Sequence, residues 1–315
     1  GQRLNENGES LWDEAGVIVV LGMSQNALNH IMLSRGNGDL AIVWLDGRFS
    51  SNGQFPYIQI CCNGENNPEI QLPTNGIPLL SPEINGGVLS IQAEQSSDDA
   101  IIVVWEDHRR GQSYSTYAQK ISWEGEILWG EEGVKCADMA FDQERPFICS
   151  DGAGGAIIAY RYPTNDEGFD IYMQRLDEAG NRLWDDEGFL LTSNNIDDSV
   201  ESLTPDGEGG TMVLWRTSIR DGSRNLWIQR VNENHELLWG ENRLVSNEAG
   251  NRRECAIARH EEGYVVVWRD EQVDDFYILG QFINNDGSFR WDQFPSGYMI
   301  CTNDFYPGRP TVSVG

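Results

Sequence analysis

Short apolar runs alternate with polar, Gly-rich segments along this chain, and the order of the runs repeats. Two consecutive stretches show it best. One reads Gly155-Ala-Ile-Ile-Ala-Tyr160 and then Asp170-Ile-Tyr-Met-Gln174-Arg-Leu-Asp-Glu-Ala-Gly180-Asn-Arg-Leu-Trp184; the next reads Gly210-Thr-Met-Val-Leu-Trp215 and then Leu226-Trp-Ile-Gln229-Arg-Val through Trp239. Three landmarks recur in fixed order. An aromatic closes an apolar run (Trp44, Trp105, Tyr160, Trp215, Trp268), a Gln follows (Gln2, Gln59, Gln119, Gln174, Gln229, Gln281), and a Trp comes ten residues after its Gln (Trp12, Trp129, Trp184, Trp239, Trp291). Such strict spacing beside looser linkers marks the Gln-to-Trp unit as one rigid hairpin. Nine of the 11 Trp occupy landmark positions, so the high Trp content belongs to the scaffold.

Copies follow each other at 52 to 61 residues. Each carries the signals of four short strands: a first strand such as Arg145 to Ser150, an apolar second strand ending at the aromatic, a third through the Gln, and a fourth after a turn such as Asp177-Glu178-Ala179-Gly180. Asp or Asn opening that turn and Gly near its end suit a bulged hairpin. Helical periodicity is absent. Four-stranded units at this period, with Gly-rich turns and a signature Trp, predict an all-β fold, a β-propeller with one unit per blade. The expected blades are 29–82, 83–137, 143–193, 198–247 and 252–303. Residues 1–20 match third and fourth strands and 308–315 match a first strand, so the ends supply three strands of a split sixth blade within a single domain, 1–315. Six blades are favoured, with seven or eight as the alternative. The missing strand suggests a portion of a longer polypeptide.

Charge narrows the function classes. With 50 acidic against 22 basic side chains the net charge is -28, which disfavours nucleic acid and anionic membrane surfaces, whose affinity comes from Lys and Arg. No run approaches the roughly 18 apolar residues of a membrane helix. The six Cys show no C-x-x-C spacing and are expected as small buried hydrophobes on strands. The four His fall at unrelated repeat positions, leaving neither a His-metal cluster nor a Ser-His-Asp triad.

The segment Asp170 to Trp184, preceded by Asp151-Gly-Ala-Gly-Gly-Ala-Ile-Ile-Ala-Tyr160, resembles propeller repeats of large secreted bacterial proteins, common in surface proteins of Bacteroidota. The resemblance covers nearly the whole chain and is weakest between residues 50 and 100. It implies the fold and an exported, extracellular or cell-surface location. It implies no particular activity, since propellers host unrelated functions.

Charged residues just after the second strands form the candidate binding surface: Asp46, Arg48, Asp107, Arg109, Arg161, Arg216, Arg269 and Asp270. At equivalent repeat positions they are expected to ring one face, where Arg and Asp can read a carboxylated or hydroxyl-rich ligand; solvated strand ends, or salt bridges between neighbouring blades, are the competing use. The repeated Gln is expected to tie one blade to the next. Acidic clusters at Asp98-Asp99, Asp197-Asp198 with Glu201, and Asp274-Asp275 suit calcium by ligand type but fit no calcium-loop pattern, and no cofactor is expected. The turn at Asp177 lies where sialidase-like propellers carry Asp boxes, with different spacing. The reading favours a non-catalytic extracellular module presenting loops to a protein or glycan partner. The alternative is a carbohydrate-active enzyme, a sialidase-like glycosidase with a carboxylate pair in its funnel.

Overall fold

The computed structural model describes residues 4, 7–11, 28–48, 53–62, 69–73, 75–81, 86–109, 113–163, 168–194, 196–218, 222–246, 250–271, 275–303 and 310–313. The chain forms two compact units, residues 1–136 and 137–315.

The first unit holds two antiparallel sheets. In the first sheet β1 (Leu28–Ser34), β2 (Leu40–Asp46), β3 (Phe55–Cys62) and β4 (Glu69–Ile70) pair in chain order, and β5 (Ile77–Pro78) also pairs with β3. The second sheet comprises β6 (Val88–Gln95), β7 (Ile101–Asp107), β8 (Ser115–Ile121) and β9 (Val134–Lys135). The second unit holds three more. The third sheet has β10 (Glu144–Ser150), β11 (Ala156–Pro163), β12 (Phe169–Leu176) and β13 (Phe189–Leu190). The fourth has β14 (Asp197–Pro205), β15 (Thr211–Ser218), β16 (Arg224–Val231) and β17 (Arg243–Ser246), and the fifth has β18 (Asn251–His260), β19 (Gly263–Glu271), β20 (Phe276–Asn284) and β21 (Tyr298–Asn303). One parallel pairing, Arg224 with Asn251, joins the last two. There is no α-helix among the described residues.

The second strands are Val- and Ile-rich and buried on both faces; every residue of β7 is buried. Such double burial suits β-branched side chains packed between sheets. Each leading strand carries one more residue than its partner, at the same place. Leu28 and Ile31 face Leu45 and Val43, Val88 and Ile91 face Asp107 and Trp105, and Glu144 and Phe147 face Arg161 and Ala159. Likewise Val200 and Ser202 face Trp215 and Leu214, and Arg253 and Ala256 face Arg269 and Val267. A bulge of this kind kinks the strand and re-aims side chains. Glu254, at φ 55°, is one residue turned in this way.

The repeated Gln is buried in all five sheets. Gln174 Oε1 accepts from the backbone N–H groups of Arg175 (3.0 Å) and Trp184 (3.1 Å), and its Nε2 donates to the Asp185 carbonyl (2.8 Å). The Gln thus clamps its own sheet's outer hairpin, which corrects the expected link from blade to blade. That link belongs to the Trp: Trp184 Nε1 donates to the Glu233 carbonyl and Trp239 Nε1 to the Asn285 carbonyl, each 3.0 Å away in the next sheet.

Of the expected split unit, Leu4 bridges Ser10 with the same spacing as Ile121 to Ile127, Leu176 to Arg182, Val231 to Leu237 and Ile283 to Phe289. Trp12 and most of residues 1–20 lie outside the described residues, as do 308, 309, 314 and 315; residues 310–313 form no regular element.

Candidate functional site

The aromatic closing each second strand faces a fixed partner on the third: Trp44 faces Tyr57, Trp105 Tyr117, Tyr160 Tyr172, Trp215 Trp227 and Trp268 Leu279. In the first two sheets this aromatic pair is covered. Trp44 Nε1 donates to Asp46 Oδ2 and Trp105 Nε1 to Asp107 Oδ2, each at 2.8 Å. The same carboxylates pair with Arg48 and Arg109 and accept their backbone N–H groups. The Arg48 guanidinium lies 4.8 Å from the Tyr57 ring centre, and that of Arg109 lies 3.9 Å from the centre of Tyr117. Burial pushes the Asp46 carboxyl up, but hydrogen bonds from Arg48 and Trp44 outweigh it and hold the group below the usual carboxylate range. Asp46, Arg48, Asp107 and Arg109 are thus caps over aromatic rings, built within their own sheets.

The remaining predicted residues are also ion-paired. Arg161 meets Glu144 at 3.1 Å and Asp197 of the next sheet at 3.9 Å, with its guanidinium 3.6 Å from the Phe169 ring centre. Arg216 meets Glu201 at 2.9 Å, Arg269 meets Glu254 at 2.8 Å and Glu271 at 3.2 Å, and Asp270 meets Arg252 at 3.2 Å.

The fourth sheet departs from this pattern. Thr217 stands where Asp46 and Asp107 stand, and its hydroxyl turns to Asp198 instead. The Trp215 indole N–H therefore lacks the carboxylate that meets Trp44 and Trp105, as does Trp268 in the fifth sheet, and no guanidinium covers Trp227 among the described residues. The uncovered pair opens into a pocket of about 550 Å3, whose rim includes Thr217, Asn194, Asn225 and Asn242. Two carboxyls stand behind the rim. Asp198 is fully buried and accepts from Asn194 Nδ2 at 2.8 Å; burial pushes its carboxyl up, and the charge of Asp170 adds to this. Asp170, at 8% exposure, accepts the Asn194 backbone N–H at 3.2 Å, and burial pushes it up as well. Such a pocket offers the flat apolar face of Trp227, amide and hydroxyl groups on its rim, and acids behind it biased toward their protonated form.

No protein-family model matches the chain, and no curated protein matches it in sequence. Solved structures do match. An ulvan lyase of polysaccharide lyase family 25 aligns with 87% of this chain and 70% of its own at TM-score 0.57 and 12% identity, also when bound to -[GlcA(1-4)Rha3S]-. A Fusarium graminearum α-L-arabinofuranosidase in complex with arabinobiose aligns at 0.52 and 10% identity, covering 84% of this chain and 80% of that one. A Dyadobacter fermentans protein of unknown function aligns at 0.52 and 9%, covering 90% and 85%. The fold is a β-propeller. Its five described sheets are blades, and the pocket lies between the fourth and the segment 191–196 that follows the third. These neighbours also correct the expectation of a non-catalytic module: where their names state an activity, it is that of a carbohydrate-active enzyme.

The acidic clusters are spoken for by other groups. Asp98 pairs with Lys120, Asp99 with Arg35, Asp197 with Arg161 and Glu201 with Arg216, while Asp275 accepts from the Tyr277 hydroxyl; Asp274 lies outside the described residues. No group of three or more metal-ligating side chains occurs among the described residues. Cys61, Cys136, Cys149 and Cys255 are buried, Cys62 half-buried and Cys301 exposed. The sequence reading passed over Trp227, Thr217 and Asp170. Their signal was a break in the repeat: Trp227 is one of two Trp off the landmarks, and Thr217 replaces an Asp.

Proposed function

We propose that this propeller is a carbohydrate-active enzyme that cleaves a polysaccharide, with the Trp215–Trp227 pocket as its sugar subsite. The observation that carries the reading is the uncovered aromatic pair. In two sibling blades the same rings are capped by an Asp–Arg pair, whereas here the cap is absent and a rim of amides and a hydroxyl takes its place. A sugar ring presents an apolar C–H face and a periphery of hydroxyls, which suits the Trp227 face and the Asn side chains together.

In this reading Asp198 is a positioning residue that holds Thr217 and Asn194. Asp170 is the general acid in this reading, because its carboxyl holds the backbone of the rim residue Asn194 and burial pushes it toward the protonated form that a proton donor needs. The names of the propeller neighbours, an ulvan lyase and an arabinofuranosidase, support the reaction class. The acidity and the likeness to exported bacterial repeats support work outside the cell on a surface or extracellular glycan.

The test is a panel of plant, algal and bacterial polysaccharides incubated with the chain, with released oligosaccharides detected by mass spectrometry. Product from at least one substrate is expected, falling at least 100-fold in D170N while binding persists. Turnover that survives D170N unchanged would remove Asp170 from the chemistry, and absence of product across the panel would overturn the enzyme reading.

A further inference from the structure

Side chains alternate across a strand, so Arg216 and Arg224 leave the fourth sheet on the face opposite Trp215, Thr217 and Asn225. That face meets the fifth sheet. Arg224 lies beside Asn251, whose side-chain oxygen accepts from its guanidinium, and the Arg252 guanidinium donates to the Arg224 carbonyl at 2.7 Å. Around it, Arg216 pairs with Glu201, Arg253 with Glu271 at 2.8 Å, and Arg269 with Glu254 and Glu271. Arg253 and Arg269 are direct cross-strand neighbours.

With Arg252 paired to Asp270, the group sets the four guanidinium groups of Arg216, Arg224, Arg253 and Arg269 against the three carboxylates of Glu201, Glu254 and Glu271, in a chain whose net charge is -28. The unmatched cation is Arg224. Its side chain meets an amide oxygen and no carboxylate among the described residues. Its burial disfavours the charged form, and so does the company of Arg216 and Arg253; together they outweigh the opposite pull of Glu201 and Glu271 and lower its pKa. An oxyanion placed there would relieve like-charge repulsion and find donors in a fork geometry suited to carboxylate or sulfate.

We propose that Arg224, flanked by Arg216 and Arg253, is an anion subsite that reads a carboxylate or sulfate of the substrate, making the substrate class an acidic polysaccharide. The inference rests on the carbohydrate-active reading, and its site is separate from the Trp215–Trp227 pocket, on the opposite face of one sheet.

Two measurements test it on the whole chain. In the first, NMR follows sodium sulfate added against sodium chloride at matched ionic strength. Saturable shifts of the Arg224 Nε–H and the Asn251 side-chain amide are expected, the Asn251 shift being lost in R224Q and weakened in R224K. Shifts that are absent, or that persist in R224Q, would overturn the subsite. In the second, carboxylated oligosaccharides and their carboxyl-reduced counterparts are compared. At least a tenfold preference for the charged form is expected, erased by R224Q, whereas W227A weakens both forms alike. Equal binding of the two forms by the unaltered chain would overturn the acidic class and leave the sugar pocket standing. Binding of the neutral form untouched by W227A would instead sink the pocket.

Discussion

Trp215 and Trp227 are direct cross-strand neighbours, and they form the one Trp–Trp pair among the five equivalent positions. Trp215 is almost fully enclosed whereas Trp227 is half-buried, so a ligand in the pocket meets chiefly the Trp227 face. Trp227→Ala should therefore weaken binding of a productive glycan about 30-fold, the scale on which truncating a central Trp costs about 2 kcal/mol. Calorimetric titration checks the affinity. The unfolding midpoint should also fall, because the ring packs against the core, so the titration is made where the variant remains folded.

The caps in the first unit carry a stability prediction with a definite sign. Arg48→Ala leaves the enclosed Asp46 carboxylate without its cation, a change that costs about 3 kcal/mol when a buried pair is broken. Asp46 in the unaltered chain has a folded pKa below its ordinary value of 3.8, so the stability it contributes is present above that pH and is lost as the pH falls through the folded value. In the variant the Trp44 and backbone N–H donors remain but the guanidinium is gone, so burial is opposed less and the carboxyl protonates more readily. The deficit measured by urea unfolding should be full at pH 7 and shrink as the pH falls below about 4.

The period, the strand order and the landmark spacing were legible in the sequence because each is a local constraint. A buried Gln can satisfy the backbone of its own hairpin only at a fixed distance from the Trp, and the ten-residue spacing records that distance. The charged positions were legible as a set but not in use. Asp46 and Arg48 are neighbours in any extended chain, whereas their stacking over Tyr57 depends on strand pairing that no local pattern states. The site was hardest to see, because it consists of something missing. Thr217 in the place of an Asp is a conservative change by composition, and its consequence appears only once the covered and uncovered rings can be compared.

Gln174→Ala tests the hairpin clamp directly. It removes the acceptor for the Arg175 and Trp184 N–H groups and the donor to the Asp185 carbonyl, all in a fully buried position. Orphaned buried backbone groups cost about 1–3 kcal/mol each, and partial rehydration leaves a net loss of about 2–4 kcal/mol. The urea midpoint should fall accordingly. Gln174→Glu should fall too, since the carboxylate cannot donate to Asp185.

Glu94 lies on β6 with no hydrogen-bond or ion-pair partner among the described residues, and burial pushes its carboxyl from 4.5 up to about 7. Such a group binds its proton more tightly in the folded chain than in the unfolded one. The contribution of this group to stability is therefore highest below about 4.5, declines as the pH rises toward about 7, and is level beyond it. Glu94→Gln keeps the shape and removes the titration. At pH 4 the variant and the unaltered chain should unfold together, because both carry a neutral group. At pH 8 the variant should be more stable by about 3 kcal/mol, the equivalent of that displacement of the carboxyl, and its Tm higher by about 5 °C. Calorimetric scans at the two pH values decide it: an equal Tm at pH 8 would mean that the carboxylate is solvated where it stands.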